Sequence, residues 1–124
     1  MRVGDVRWKV IKAESPKSLR ALFGSDKNPT GKYVLLAVEV ENLGKKMVST
    51  SGVKIVDSQG REFTHSSETF NLDPKHLFFQ NLNPNVPFRF SEVFDIAPDA
   101  TGLKAKVSNL ELFSTKDVLV DLGI

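Results

Sequence analysis

An antiparallel β-sandwich of about seven strands is the fold predicted by this sequence, on three observations. Apolar residues recur with a period of two through most of the 124 residues, the spacing at which side chains of an extended strand share a face. Clusters of Gly, Pro, Asn and Asp punctuate the alternating runs at intervals, as between strands of a sandwich. Helical patterning is confined to one short stretch.

The first strand is expected from Val3 to Ala13, where Val6, Trp8 and Val10 alternate with Arg7 and Lys9. The strongest signal is Lys32–Asn42, with Val34, Leu36, Val38 and Val40 on one face. Leu35 and Ala37 are apolar on the other, so this strand is expected to be central and partly covered on both sides. Asn42-Leu43-Gly44-Lys45-Lys46 follows as a polar turn. Met47–Asp57 is the next strand, with a break expected near Ser51-Gly52. Asp57-Ser58-Gln59-Gly60 is a hairpin turn, because Asp favours the start of such a turn and Gly accepts the positive φ at its end. Arg61–Thr64 is its return strand.

Beyond Asn83-Pro84-Asn85 comes a strand from Val86 to Ile96. Phe88, Phe90, Phe94 and Ile96 share one parity there, but Glu92 falls on it too and Val93 falls off it. A bulge around Ser91–Val93 is the expected resolution, since one extra residue exchanges the faces. Leu103–Val107 and Val118–Leu122 complete the seven. The stretch Ser15–Gly24 predicts two turns of helix after the first strand: Ser15 caps, Pro16 suits the first turn and Gly24 suits the residue past the end. The long connections Ala13–Gly31 and His65–Asn81 lack the composition of flexible linkers, so residues 1–124 are taken as one domain. A further short helical turn is expected near Asp73-Pro74-Lys75.

Composition narrows the function classes. Lys and Arg number 17 against 15 Asp and Glu, a net charge of +2, which is a weak basic excess for a nucleic-acid binder. No apolar run approaches the ~18 residues of a membrane span. The absence of cysteine removes disulfides, thiolate metal sites and cysteine nucleophiles. The opening Met1–Asp5 is not followed by the apolar stretch of a signal peptide.

Three segments carry a family resemblance: Gly31–Phe63, Leu82–Val107 and the closing Val-Leu-Val-Asp-Leu-Gly. Within them stand Lys32-Tyr33, Glu41-Asn42-Leu43-Gly44, Asp57-Ser58-Gln59-Gly60-Arg61-Glu62-Phe63 and Phe94-Asp95-Ile96-Ala97-Pro98. These motifs resemble a bacterial and archaeal family of uncharacterised immunoglobulin-like domains related to the secreted immunoprotective antigen of mycobacteria. Asn85 replaces the family's usual Gly after Pro84, and Ala97 is an insertion before Pro98. The resemblance implies an immunoglobulin-like sandwich and an extracytoplasmic or cell-surface location; the opening residues alone suit a cytoplasmic protein equally. Its motifs each account for a turn or a buried face, and no cofactor is expected from them.

Site candidates are few. No G-x-S-x-G elbow, phosphate-cradling glycine loop or H-E-x-x-H pair is present, and the expectation is a non-enzymatic module that binds a protein or another cell-envelope component. Phe78 and Phe79 are adjacent and so cannot both face inward on a regular strand, which makes them, with Leu22 and Phe23, the candidate contact residues. The alternative is a metal- or ligand-handling accessory protein using His65, Glu68 and His76, three groups of ligating type. Arg7, Lys9, Lys104 and Lys106 point outward and would form a basic stripe if their strands were neighbours. Exposed strand edges offer a route to a homo-oligomer or a bound peptide.

Overall fold

The strand Lys32–Asn42 organises the molecule. In the computed structural model, which describes residues 1–17, 28–50, 52–67, 69, 80–110 and 116–124, Val34, Leu36, Val38 and Val40 are each at most 1% exposed. Complete burial of such side chains stabilises by roughly 1.5–3 kcal/mol each. The regular elements are β1 (Arg2–Val3), β2 (Val6–Glu14), β3 (Lys32–Asn42), β4 (Val48–Thr50), β5 (Lys54–Val56), β6 (Glu62–Phe63), β7 (Gln80–Leu82), β8 (Phe88–Ile96), β9 (Lys104–Ser108) and β10 (Asp117–Asp121). Among the described residues every pairing between these strands is antiparallel.

Two four-stranded sheets run in the orders β1-β2-β3-β8 and β10-β9-β5-β6, and β4 and β7 form a separate pair. Val6, Trp8, the four β3 residues, Phe90, Phe94 and Ile96 from the first sheet share one core with Ile55, Ala105 and Val107 from the second. The fold is therefore all-β and sandwich-like. Trp8 also ties the layers together, because its indole Nε1–H donates to the carbonyl of Ser108 at 2.8 Å. A buried indole needs such a partner.

Seven expected strands become ten among the described residues. The first divides at Gly4-Asp5 into β1 and β2. The Met47–Asp57 run breaks where expected, and its halves β4 and β5 join different sheets. The three-residue β7 has too short a pattern to be seen in sequence. The expected helix at Ser15–Gly24 falls mostly, and the turn near Asp73 wholly, outside the described residues.

The bulge is elsewhere than expected. Register between β3 and β8 is unbroken from Lys32↔Ile96 to Val40↔Phe88, so Glu92 keeps its inward parity, opposite Leu36. Val93 faces the other side, where it is buried with Tyr33 beside Leu35. That second small cluster is the two-sided cover expected for β3. The register shift lies instead between Val10 and Lys12 of β2, leaving Ile11 44% exposed. It lets Val10 and Ala13 both pack on the core despite their odd spacing.

Candidate functional site

Both long connections are fastened to one end of the β3–β8 pair. At one end of connection 15–31, the Ser15 hydroxyl donates to the Tyr33 carbonyl at 2.6 Å. At its other end, the backbone N–H groups of Thr30 and Gly31 donate to the Asp95 carboxylate at 2.8 Å each. Tyr33 and Asp95 are register partners. Gly31 belongs there for lack of a side chain: a Cβ would sit 1.9 Å from the Ile96 carbonyl oxygen, far inside contact distance.

Connection 64–79 is tied two residues away. Val93, the partner of Leu35 in β3, accepts a hydrogen bond at its carbonyl from the Ser66 N–H at 2.7 Å. Its own N–H donates to Thr69 Oγ1 at 3.1 Å, and the Thr69 hydroxyl donates back to the Val93 carbonyl at 3.3 Å. Thr69 is fully buried.

Beside this tie lies a buried carboxylate. Glu92 is 1% exposed, and an ionised carboxylate in such a place requires partners. Its Oε1 accepts the Val53 N–H at 2.9 Å. Its Oε2 faces His65 Nδ1 at 2.9 Å. The hydrogen bond to Glu92 raises the His65 pKa above its ordinary value of 6.5; partial burial opposes this and the carboxylate charge reinforces it. Gly52, at φ +96°, leaves room for the carboxylate, since a Cβ would approach Oε2 to 3.0 Å. The pair thus binds connection 64–79 to β8 and to the residue preceding β5. Chemically, it can hold and exchange one proton at His65.

Of the residues singled out in sequence, Leu22, Phe23, Glu68, His76, Phe78 and Phe79 lie outside the described residues. His65 is half-buried and turned onto Glu92. Among the described residues, no group of three or more His, Asp or Glu is arranged to hold a metal ion. Glu92 itself was not among the sequence candidates. Its signal was the parity conflict between Phe90 and Phe94, which a buried carboxylate resolves as well as a bulge does.

The basic stripe does not form, because β2 and β9 belong to different sheets. Arg7 pairs with Glu41 across β2–β3, and Lys106 pairs with Glu62 at 2.7 Å. The other motifs are architectural. Asn42 is buried; its amide donates to the carbonyls of Lys46 and Leu82 and accepts the Gly44 N–H. Asp57 accepts the N–H groups of Gln59 and Arg61 at 3.0 and 2.9 Å and the Arg61 Nε–H at 2.6 Å. Burial pushes its carboxyl up, but these bonds and the Arg61 charge outweigh that and hold it below the usual range.

An all-β chain of two antiparallel four-stranded sheets, with two connections fastened to one sheet end, is a class of domain rather than an activity. The chain belongs to the family DUF4352, described as a domain of unknown function, which matches residues 1–118. Its fold is similar to that of the yjhA protein from Bacillus subtilis, with a TM-score of 0.72 at 14% identity over 98% of this chain and 94% of that one. A conserved hypothetical protein from Bacillus anthracis aligns with a TM-score of 0.66 at 10% identity, over 98% and 89% of the two chains. No curated protein matches the sequence.

Proposed function

We propose that this domain is a non-enzymatic binding module of the bacterial cell envelope, whose contact surface is formed by connections 15–31 and 64–79. One observation carries the reading: both connections are hydrogen-bonded to neighbouring positions, Tyr33, Val93 and Asp95, on two long paired strands. Loops presented side by side by a rigid sheet are a common way for such folds to bind. The apolar residues Leu22, Phe23, Phe78 and Phe79 fall within these two connections, and aromatic side chains supply most of the energy in many interfaces. Two antiparallel sheets around one core, with the motifs described above, support an immunoglobulin-like type of sandwich. The resemblance of those sequence motifs to a family related to the mycobacterial secreted antigen supports an extracytoplasmic setting.

The test uses two full-length variants in which residues 18–27 or 70–79 are replaced by Gly-Ser segments of equal length. Each is mixed with purified cell-wall and membrane-vesicle fractions of a Bacillus and sedimented. The wild type is expected to co-sediment with one fraction, and both variants to lose that binding while keeping a β-rich circular dichroism spectrum. Equal binding by all three proteins, or no binding by the wild type to either fraction, overturns the proposal.

A further inference from the structure

Among the described residues the strand β10 ends the second sheet and is the longest edge strand besides β8. The edge of β8 is partly occupied, since Ser66 and Thr69 bond to both backbone groups of Val93. Along β10, Val118 and Val120 lean on the core, while Asp117, Leu119 and Asp121 face outward, Leu119 being 47% exposed. Register with β9 places Leu119 opposite Lys106 and Asp121 opposite Lys104.

On this face the lysines of the two central strands are flanked by acidic residues. Lys106 Nζ lies 2.7 Å from Glu62 of β6 and 3.8 Å from Asp117 of β10, and Lys54 of β5 is its register partner. From β6 outward the columns therefore run acidic, basic, basic, acidic, and the sheet stops on the acidic one. Opposite charges on paired strands stabilise a sheet and like charges directly opposite destabilise it.

A second copy of β10 is a poor match for this edge. Two-fold antiparallel pairing centred on Leu119 would set Asp117 across from Asp121 of the other copy, twice over. Slipping by one residue would turn the valines away from the core side, and slipping by two would relieve the Asp–Asp facing only by leaving three of the 5 residues of β10 paired. Acidic residues thus guard the edge against self-association, one of the devices by which sheets avoid it. The same arrangement is receptive to a different strand, one with basic residues at two positions four apart and apolar residues between them.

We propose that β10 is a docking edge for an extended basic segment of another protein, added antiparallel as a fifth strand of the second sheet. Lys or Arg of the segment would face Asp117 and Asp121, an apolar side chain would cover Leu119, and the alternate side chains would continue the inward face of Val118 and Val120. Backbone hydrogen bonds supply the affinity in such strand addition and the flanking pockets and charges supply the selection.

The test is a titration of the isotopically labelled full chain with two capped peptides, one with Lys-Val-Leu-Val-Lys at its centre and one with Glu-Val-Leu-Val-Glu. The basic peptide should shift backbone amide signals of β10 and β9, bind more weakly as ionic strength rises, and exceed the acidic peptide by about tenfold in affinity. The double variant Asp117→Lys with Asp121→Lys should reverse that preference, a gain that misfolding cannot produce. Equal binding of both peptides, shifts confined to other strands, no shifts at all, or self-association of the wild type through β10 would each refute the proposal.

Discussion

Replacing His65 with Ala removes one partner of a carboxylate that is almost wholly inside the protein. Breaking a buried pair in this way typically costs about 3–5 kcal/mol. The His65 side chain is 22% exposed, so water entering its place screens part of that cost, and about 2–3 kcal/mol is expected. Unfolding entropy near 2.1 cal/mol/K per residue converts this to a fall in melting temperature of about 8–12 °C for a chain of this length. The sign of the pH dependence follows from the raised His65 pKa. The stability it contributes is fully present below the unfolded value of about 6.5 and is lost as pH rises through the folded value. Thermal and urea unfolding followed by circular dichroism at pH 5.5 and pH 8.5 should show a larger His65→Ala penalty at the lower pH. A penalty below about 0.5 kcal/mol at pH 5.5, or one that grows towards pH 8.5, would refute the assignment of His65 as the partner that holds Glu92.

Three other substitutions test further parts of the account. Gly31→Ala places a Cβ against the Ile96 carbonyl and Gly52→Ala places one against Glu92 at φ +96°. Gly52→Ala should cost roughly 1–3 kcal/mol and Gly31→Ala more, and melting temperatures unchanged by either would contradict the close approaches described. Asp57→Asn should flatten the acid side of the stability profile: the lowered Asp57 pKa contributes stability above the unfolded carboxylate value that is lost as pH falls through the folded one. An acid unfolding curve identical to the wild type would contradict that role.

Most of the sheet framework was legible in the sequence because its strands have one apolar face and a period of two. Val34, Leu36, Val38 and Val40 declare β3 by themselves, and Tyr33 with Leu35 marks its covered second face. Asp57 is legible as a turn residue, since its side chain bonds to the backbone of Gln59 and Arg61 close by in the chain, whereas the bond from the Asn42 amide to the Leu82 carbonyl carries no local signal. What alternation cannot carry is pairing between distant strands. Thus β2 and β9, each with outward lysines, read equally well as neighbours or as members of opposite sheets. Glu92 was misplaced for a related reason. A carboxylate on an apolar face implies either a bulge or a buried partner, and here the partners, His65 and Val53, lie 27 and 39 residues away in the chain. Val10, Ile11 and Ala13 held the true bulge signal, but a run of apolar residues at a strand end does not say which one turns outward.

The central claim is that connections 15–31 and 64–79, fastened to the same end of β3 and β8, act together as one contact surface. Hydrogen–deuterium exchange of the full chain, with and without the cell-wall or vesicle fraction that sediments it, tests this most directly. The account predicts slowed exchange in both connections on binding, with the amides of β2, β3 and β9 unchanged. Slowed exchange in only one connection, or solely in segments away from both, would contradict it.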